Sequence, residues 1–161
     1  MVRPSSPEAQ ASPVDAGRSP ATSAVDDSWL SWLAADIADG LPHVTAGSSA
    51  HFVAQMLNLD VLDAISFTKG CYTGQEIVAR TQNLGRIKRR MLRYRVATGA
   101  PPATLAALNH GHTKVGEVLQ AAAAGAAGSE LLAVVSLDVR DRVLTLGDGR
   151  EVAPLALPYE I

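Results

Sequence analysis

Cys71 is the only cysteine in the chain, and it stands inside the run KGCYTGQEIVAR, residues Lys69 to Arg80. Within eight residues this run gathers an amine (Lys69), a thiol (Cys71), a phenol (Tyr72), an amide (Gln75) and a carboxylate (Glu76), with Gly70 and Gly74 between them. The thiol lies just before an expected helix N-terminus and two residues from Lys69. Both features favour the thiolate, which is the nucleophilic and metal-ligating form. The two glycines suit a tight strand-to-helix turn, or let a ligand come close to the backbone. One cysteine excludes a four-cysteine cluster cage. The histidines, His43, His51, His110 and His112, show no spacing that marks a dyad, and the HGH run reads as a polar loop. No glycine-rich phosphate loop, HExxH or GxSxG pattern is present.

The elements that must position this run follow from local signals. Thr73 and Glu76 fit a capping box, with Thr73 as the cap and Glu76 reaching back to its amide. QEIVARTQNL then forms a helix with Ile77, Thr81 and Leu84 on one face, ended by Gly85. AISF before the motif reads as a short strand leading into it. Further upstream, DDSWLSWLAADIADGLP is a helix with Asp27 or Ser28 as cap and an apolar face of Trp29, Leu30, Leu33 and Ile37. Gly40 and Pro42 end it. Trp29 and Trp32 read as core or interface residues rather than as ligand flanks. SSAHFVAQMLNLDVL reads as short helical turns that turn Phe52, Met56 and Leu57 inward.

After Gly85 the pattern becomes β. RIKRRMLRYRV places Met91 with Arg89, Arg93 and Arg95 on one side, and Leu92, Tyr94 and Val96 with Lys88 and Arg90 on the other. KVGEVLQAA, ELLAVVSLDV, RVLTLG and REVAPLAL follow as strands, with GDG (Gly147 to Gly149) as a hairpin turn. Short strands at this spacing predict a small antiparallel barrel. AAAAGAAG reads as a flexible connection or a weak strand end. Residues 1–25, rich in Pro, Ser and Ala with no aromatic, read as disordered. The expected organisation is therefore a disordered segment (1–25), an α/β part carrying the motif (26–85) and a β-barrel (86–161).

The chain has 161 residues, 47 % of them hydrophobic, which is enough for one domain with a real core or two small ones. Its net charge is -2, so global electrostatics select neither nucleic acid nor membrane. The charge is unevenly placed. From Lys69 to Arg95 there are eight bases against the single acid Glu76, a local +7, which leaves -9 for the remainder. Such a segment is either a solvated basic strand face or a surface for an anionic partner. One cysteine excludes an internal disulfide. No apolar run reaches the roughly 18 residues of a membrane helix. The expected compartment is reducing, by default the cytoplasm.

KGCYTGQEIVAR closely resembles the signature of the YgfZ family, folate-binding proteins related to the glycine-cleavage T-protein. DIADGLPHVT, FVAQMLNLD, ISFTKGCYTGQE, the basic stretch after LGRIKRR and the final LALPY follow the family's order over roughly residues 29–160. T-proteins lack the KGCYxGQE form, so Cys71 and Tyr72 point to the YgfZ side. The resemblance implies an α+β fold, the remnant of a T-protein-like α/β folate-binding region followed by a small antiparallel β-barrel. It implies an accessory role in iron–sulfur cluster assembly or repair that uses tetrahydrofolate and indirectly supports tRNA modification. Carried over by position, Cys71 is the functional thiol, and Lys69, Gly70, Tyr72, Gly74, Gln75, Glu76 and Arg80 are its folate-binding setting. The implied partners are iron–sulfur proteins or assembly factors.

Family members are about twice this length, so the chain reads as a C-terminal fragment, a split gene product or a chain with a mis-assigned start. Folate binding by this chain alone is then expected to be weak, and a further chain encoding the first half is an expected partner. The alternatives are a tetrahydrofolate-dependent aminomethyltransferase-like protein, a nucleic-acid-binding barrel using Arg86 to Arg95, or an inactive fragment.

Overall fold

The computed structural model describes residues 27–161 except Thr68, Tyr72, Gly85 and Arg86. The expected disorder of residues 1–25, the role of Tyr72 and the helix stop at Gly85 lie outside the described residues. The architecture is α+β. A helix α1 (Asp27–Ala38) and a 3-10 turn (Ala54–Leu57) precede helix α2 (Gln75–Leu84). Six strands follow: β1 (Arg89–Val96), β2 (Ala107–His110), β3 (Thr113–Ala123), β4 (Ser129–Ser136), β5 (Leu144–Leu146) and β6 (Glu151–Leu155). They form a closed, wholly antiparallel barrel in the order β1-β4-β3-β2-β5-β6, with β6 returning to β1.

The period of two explains the barrel interior. On β1, Leu92, Tyr94 and Val96 face inward, joined by Leu108, Val118, Leu131, Ala133, Val135, Leu144, Leu146 and Val152. The run SELLAVVS is apolar at successive positions because β4 is covered on both faces. Leu131, Ala133 and Val135 fill the barrel, while Leu132 and Val134 lie outside it under Ile37 and Leu57. That second core also takes Met91, Leu119 and Ala122, with Leu33, Phe52, Met56 and Leu157 at its edge. The helix and turns before the motif are thus packed on the outer wall of the barrel.

Local signals set the turns. Gly40 takes φ +69, its N–H donates to the Ile37 carbonyl (3.2 Å), and the Leu41 N–H donates to the Asp36 carbonyl (2.8 Å). This is a Schellman ending for α1. A side chain at Gly40 would also strike the Tyr159 ring at 2.8 Å. The GDG hairpin is present, with Leu146 and Arg150 paired across it (2.9 Å).

Four expectations are corrected. AISF is not a strand, because no neighbouring strand pairs with it among the described residues. The HGH run is not all loop, because His110 ends β2 and pairs with Thr113 across the turn at Gly111. Trp29 and Leu30 are not buried with Leu33 and Ile37, for their helical turn lies beyond the covering strands and Trp29 is 46 % exposed. α1 already includes Asp27 and Ser28, so neither stands ahead of the helix as its cap.

Candidate functional site

The motif forms an exposed corner between Ile65 and α2. Lys69, Gly70 and Cys71 are all exposed, and Cys71 is a free thiol. The Lys69 backbone N–H donates to Ser66 Oγ at 3.2 Å. Gly74 takes φ +86, which removes it from the first helical position and starts α2 at Gln75. The expected capping box is therefore out of register. With Gly74 outside the helix, Thr73 cannot be the cap and Glu76 is not the third helical residue. Cys71 consequently stands four residues ahead of the first residue of α2, one more than the expected capping box places it.

A Cβ built on Gly70 or Gly74 meets nothing within 4 Å, so the motif backbone faces open space. Gly74 is required by its φ, since side chains rarely adopt that region. Glu76 and Arg80 are exposed and Gln75 is half-buried. Of the expected face of Ile77, Thr81 and Leu84, Ile77 is 61 % exposed and does not pack inward, Thr81 is half-buried, and the Leu84 side chain lies outside the described residues. The Thr81 hydroxyl instead donates to the Ile77 carbonyl at 2.8 Å.

Sequence reasoning missed the residues that hold this corner in place. Gln55 is fully buried, and its Nε2 donates to the Val78 carbonyl of α2 at 2.7 Å. Arg90 grips Asp60 with two bonds of 2.8 Å and also donates to the Gln55 carbonyl at 3.2 Å. Asn58, at φ +58, donates from Nδ2 to the Met91 carbonyl at 2.8 Å. The Tyr159 hydroxyl receives from Asn58 (3.3 Å) and donates to the Gly40 carbonyl (2.8 Å). These contacts run from β1 through the NLD turn to α2. No signal within NLD or RIKRR pairs Asp60 with Arg90, because they are thirty residues apart. Burial opposes the charge on Asp60, but the Arg90 hydrogen bonds and charge outweigh it, so its carboxyl lies below the usual range.

The basic segment is correspondingly less basic at its surface. Besides Arg90, both Arg93 and Arg95 are paired with Glu130, at 2.5 and 2.7 Å. Arg80, Lys88 and Arg89 are exposed and have no carboxylate within ion-pair distance among the described residues.

Two histidines that carried no dyad spacing in the sequence do find carboxylates. His43 Nε2 lies 2.7 Å from Asp36 Oδ2, and His51 Nε2 lies 2.6 Å from Glu117 Oε2. His43 is also set edge-on to Trp32, with ring centroids 4.9 Å apart. Gln120 accepts from the His43 backbone N–H (2.6 Å) and donates to the Leu41 carbonyl (3.0 Å). The Asp36–His43 pair thus ties the chain after α1 back to the helix, and Gln120 ties it to β3. Among the described residues no group of three or more His, Cys, Asp and Glu is placed to hold a metal ion. No helix among them is long and apolar enough to cross a membrane.

Known proteins resemble this chain over a limited stretch. Over 58 residues, 36 % of the chain, it is 57 % identical to the tRNA-modifying protein YgfZ of Colwellia psychrerythraea strain 34H. The same length is 55 % identical to the tRNA-modifying protein YgfZ of Yersinia pestis strain Pestoides F. The matched segment is YgfZ-like. It spans only 18 % of the length of either relative, so most of each relative has no counterpart in the YgfZ-like segment. No family model matches the chain. Among solved structures, a glycine cleavage system aminomethyltransferase T from Bartonella henselae aligns with 53 % of this chain and 25 % of that one. That alignment has 15 % identity and a TM-score of 0.44.

Proposed function

We propose that this chain is the Cys71-bearing part of an accessory factor for iron–sulfur cluster assembly or repair, and that it supports tRNA modification through the iron–sulfur proteins it serves. The observation that carries the reading is the placement of Cys71. It is a free, exposed thiol on an open corner, in a chain with a YgfZ-like segment. As a thiolate, Cys71 gives up its proton to solvent and donates a sulfur lone pair to iron. Ligands from a client or assembly factor complete the coordination, since one sulfur cannot.

Tetrahydrofolate is part of the same proposal, and the motif supplies it with one wall only. Lys69, Glu76 and Arg80 are exposed, and open space lies over Gly70 and Gly74. A cofactor of that size needs a cleft that covers most of its surface, and these side chains do not enclose one by themselves. The missing walls would come from a polypeptide equivalent to the remaining length of the relatives. The cytoplasm, where thiols stay reduced, suits this role.

The test is genetic and chemical together. The chain, alone and with such a polypeptide, is expressed in cells lacking their own YgfZ, and tRNA modification is read by mass spectrometry. Cys71→Ala and Cys71→Ser should both lose the support that the unaltered chain gives. Full support by both variants, or a purified chain whose Cys71 resists alkylation at all pH values below 8.5, would overturn the proposal.

A further inference from the structure

The groove between α2 and the entrance to β1 has a composition that Cys71 does not explain. We infer that it docks an acidic polypeptide segment of a partner protein, through one apolar anchor side chain flanked by carboxylates. The cavity is about 260 Å3, below the usual range for small-molecule pockets and suited to a single anchoring side chain. Its floor is aliphatic, made by Val53, Met56 and Ile87. Its rim is cationic, made by Lys88 and Arg89, with Arg80 exposed on the neighbouring helix.

Charge selects the occupant. Of the bases in the segment, Arg90 is paired with Asp60, and Arg93 and Arg95 share Glu130. The rim cations have no such partner among the described residues. Asp138, which lines a neighbouring cavity with Lys88 and not the groove, accepts a hydrogen bond from the Ser136 hydroxyl. A cationic rim around an apolar floor complements carboxylates on either side of an apolar side chain. Among the described residues the groove is lined by aliphatic and basic side chains and no aromatic one, whereas single-stranded RNA is usually held on aromatic stacking platforms.

The inference is separable from the role of Cys71, so Cys71→Ala should leave binding unchanged. The probe is a fluorescein-labelled peptide of alternating acidic and leucine pairs, followed by anisotropy with the full chain. Saturable binding is expected, weakened at least about tenfold by the double variant Lys88→Glu and Arg89→Glu, because each rim pair becomes a repulsion. Replacing the leucines of the peptide with serine should weaken binding by a similar factor. Both mutated residues are exposed, so the variant should melt with the unaltered chain. If it does not, Lys88→Gln with Arg89→Gln replaces it, with a loss of about threefold or more. Equal binding by the variant would overturn the inference. So would tighter binding of a lysine-substituted peptide or of a short single-stranded RNA. Self-association of the chain that disappears in the same variant would assign the groove to a second copy instead.

Discussion

Replacing Asp60 with alanine should destabilise the protein more than any other single change to a charged residue in the corner that carries the motif. The Asp60 and Arg90 side chains are 9 % and 12 % exposed and share two bonds of 2.8 Å. Removing one partner of a buried ion pair costs roughly 3–5 kcal/mol, because the other charge is left without compensation. Arg90 would keep the Gln55 carbonyl at 3.2 Å and Asn58 Oδ1 at 3.4 Å, which places the cost near the lower end, about 3 kcal/mol. At roughly 3 °C per kcal/mol for a chain of this size, Tm should fall by about 10 °C. Urea unfolding read by circular dichroism should give the same loss at unchanged slope. Asp60→Leu combined with Arg90→Met should return to within about 1 kcal/mol of the unaltered protein, since no unpaired charge remains. The 3-10 turn anchored by Arg90 also holds α2 through Gln55, so amide exchange in α2 should quicken in Asp60→Ala. A loss under about 1 kcal/mol would refute the reasoning, because it would mean that the pair is screened by water and does not hold the corner to the barrel.

Gly128→Ala should cost about 3 kcal/mol or more, since φ is +89 and the new Cβ would lie 2.1 Å from the Val96 carbonyl oxygen. A Tm within about 2 °C of the original would contradict that. Acid should weaken the fold in a defined window. Burial disfavours the Glu130 charge, but Arg95 and Arg93 overcome it, while Lys114 and then His51 lower Glu117 against its burial. With Asp60, these carboxyls have folded values below their ordinary ones. Their stabilisation is therefore complete above about pH 5 and lost as pH falls below about 4. Urea midpoints measured from pH 7 to pH 3 should drop within that interval, and Glu130→Gln should flatten the drop. Tyr94→Phe should be neutral or slightly stabilising, because the Tyr94 hydroxyl is buried without a partner among the described residues and burial, reinforced by Asp141, raises its pKa. A loss above about 1 kcal/mol in thermal unfolding would show that the hydroxyl is satisfied in solution.

Much of the fold was legible because its signals are local. The ending of α1 at Gly40, the GDG turn and the in-out alternation of Leu92, Tyr94 and Val96 need only near neighbours and the period of the backbone. The site was legible in part. The exposed thiol and the need for Gly74 agree with the motif, yet one positive φ at Gly74 moved the helix start and undid the capping box. The AISF strand failed because a strand is defined by a partner, which its own residues do not contain.

What the sequence determined by itself was which residues are chemically able: one thiol, its glycine-flanked setting, a basic segment and an apolar stripe on each element. The tertiary structure alone decided how those capacities are spent. The pairing of β4 with β1 set Glu130 beside Arg93 and Arg95, so two of the eight bases became ion-paired across the sheet. A third, Arg90, went to Asp60, which left Arg80, Lys88 and Arg89 at the surface. The same holds for α1, where periodicity selects a face but not how far the covering sheet extends. Leu33 and Ile37 meet β3 and β4, while Trp29, one turn earlier, stays exposed. Ion pairing and burial both depend on which distant segments arrive, and that information resides in the packing of the whole chain.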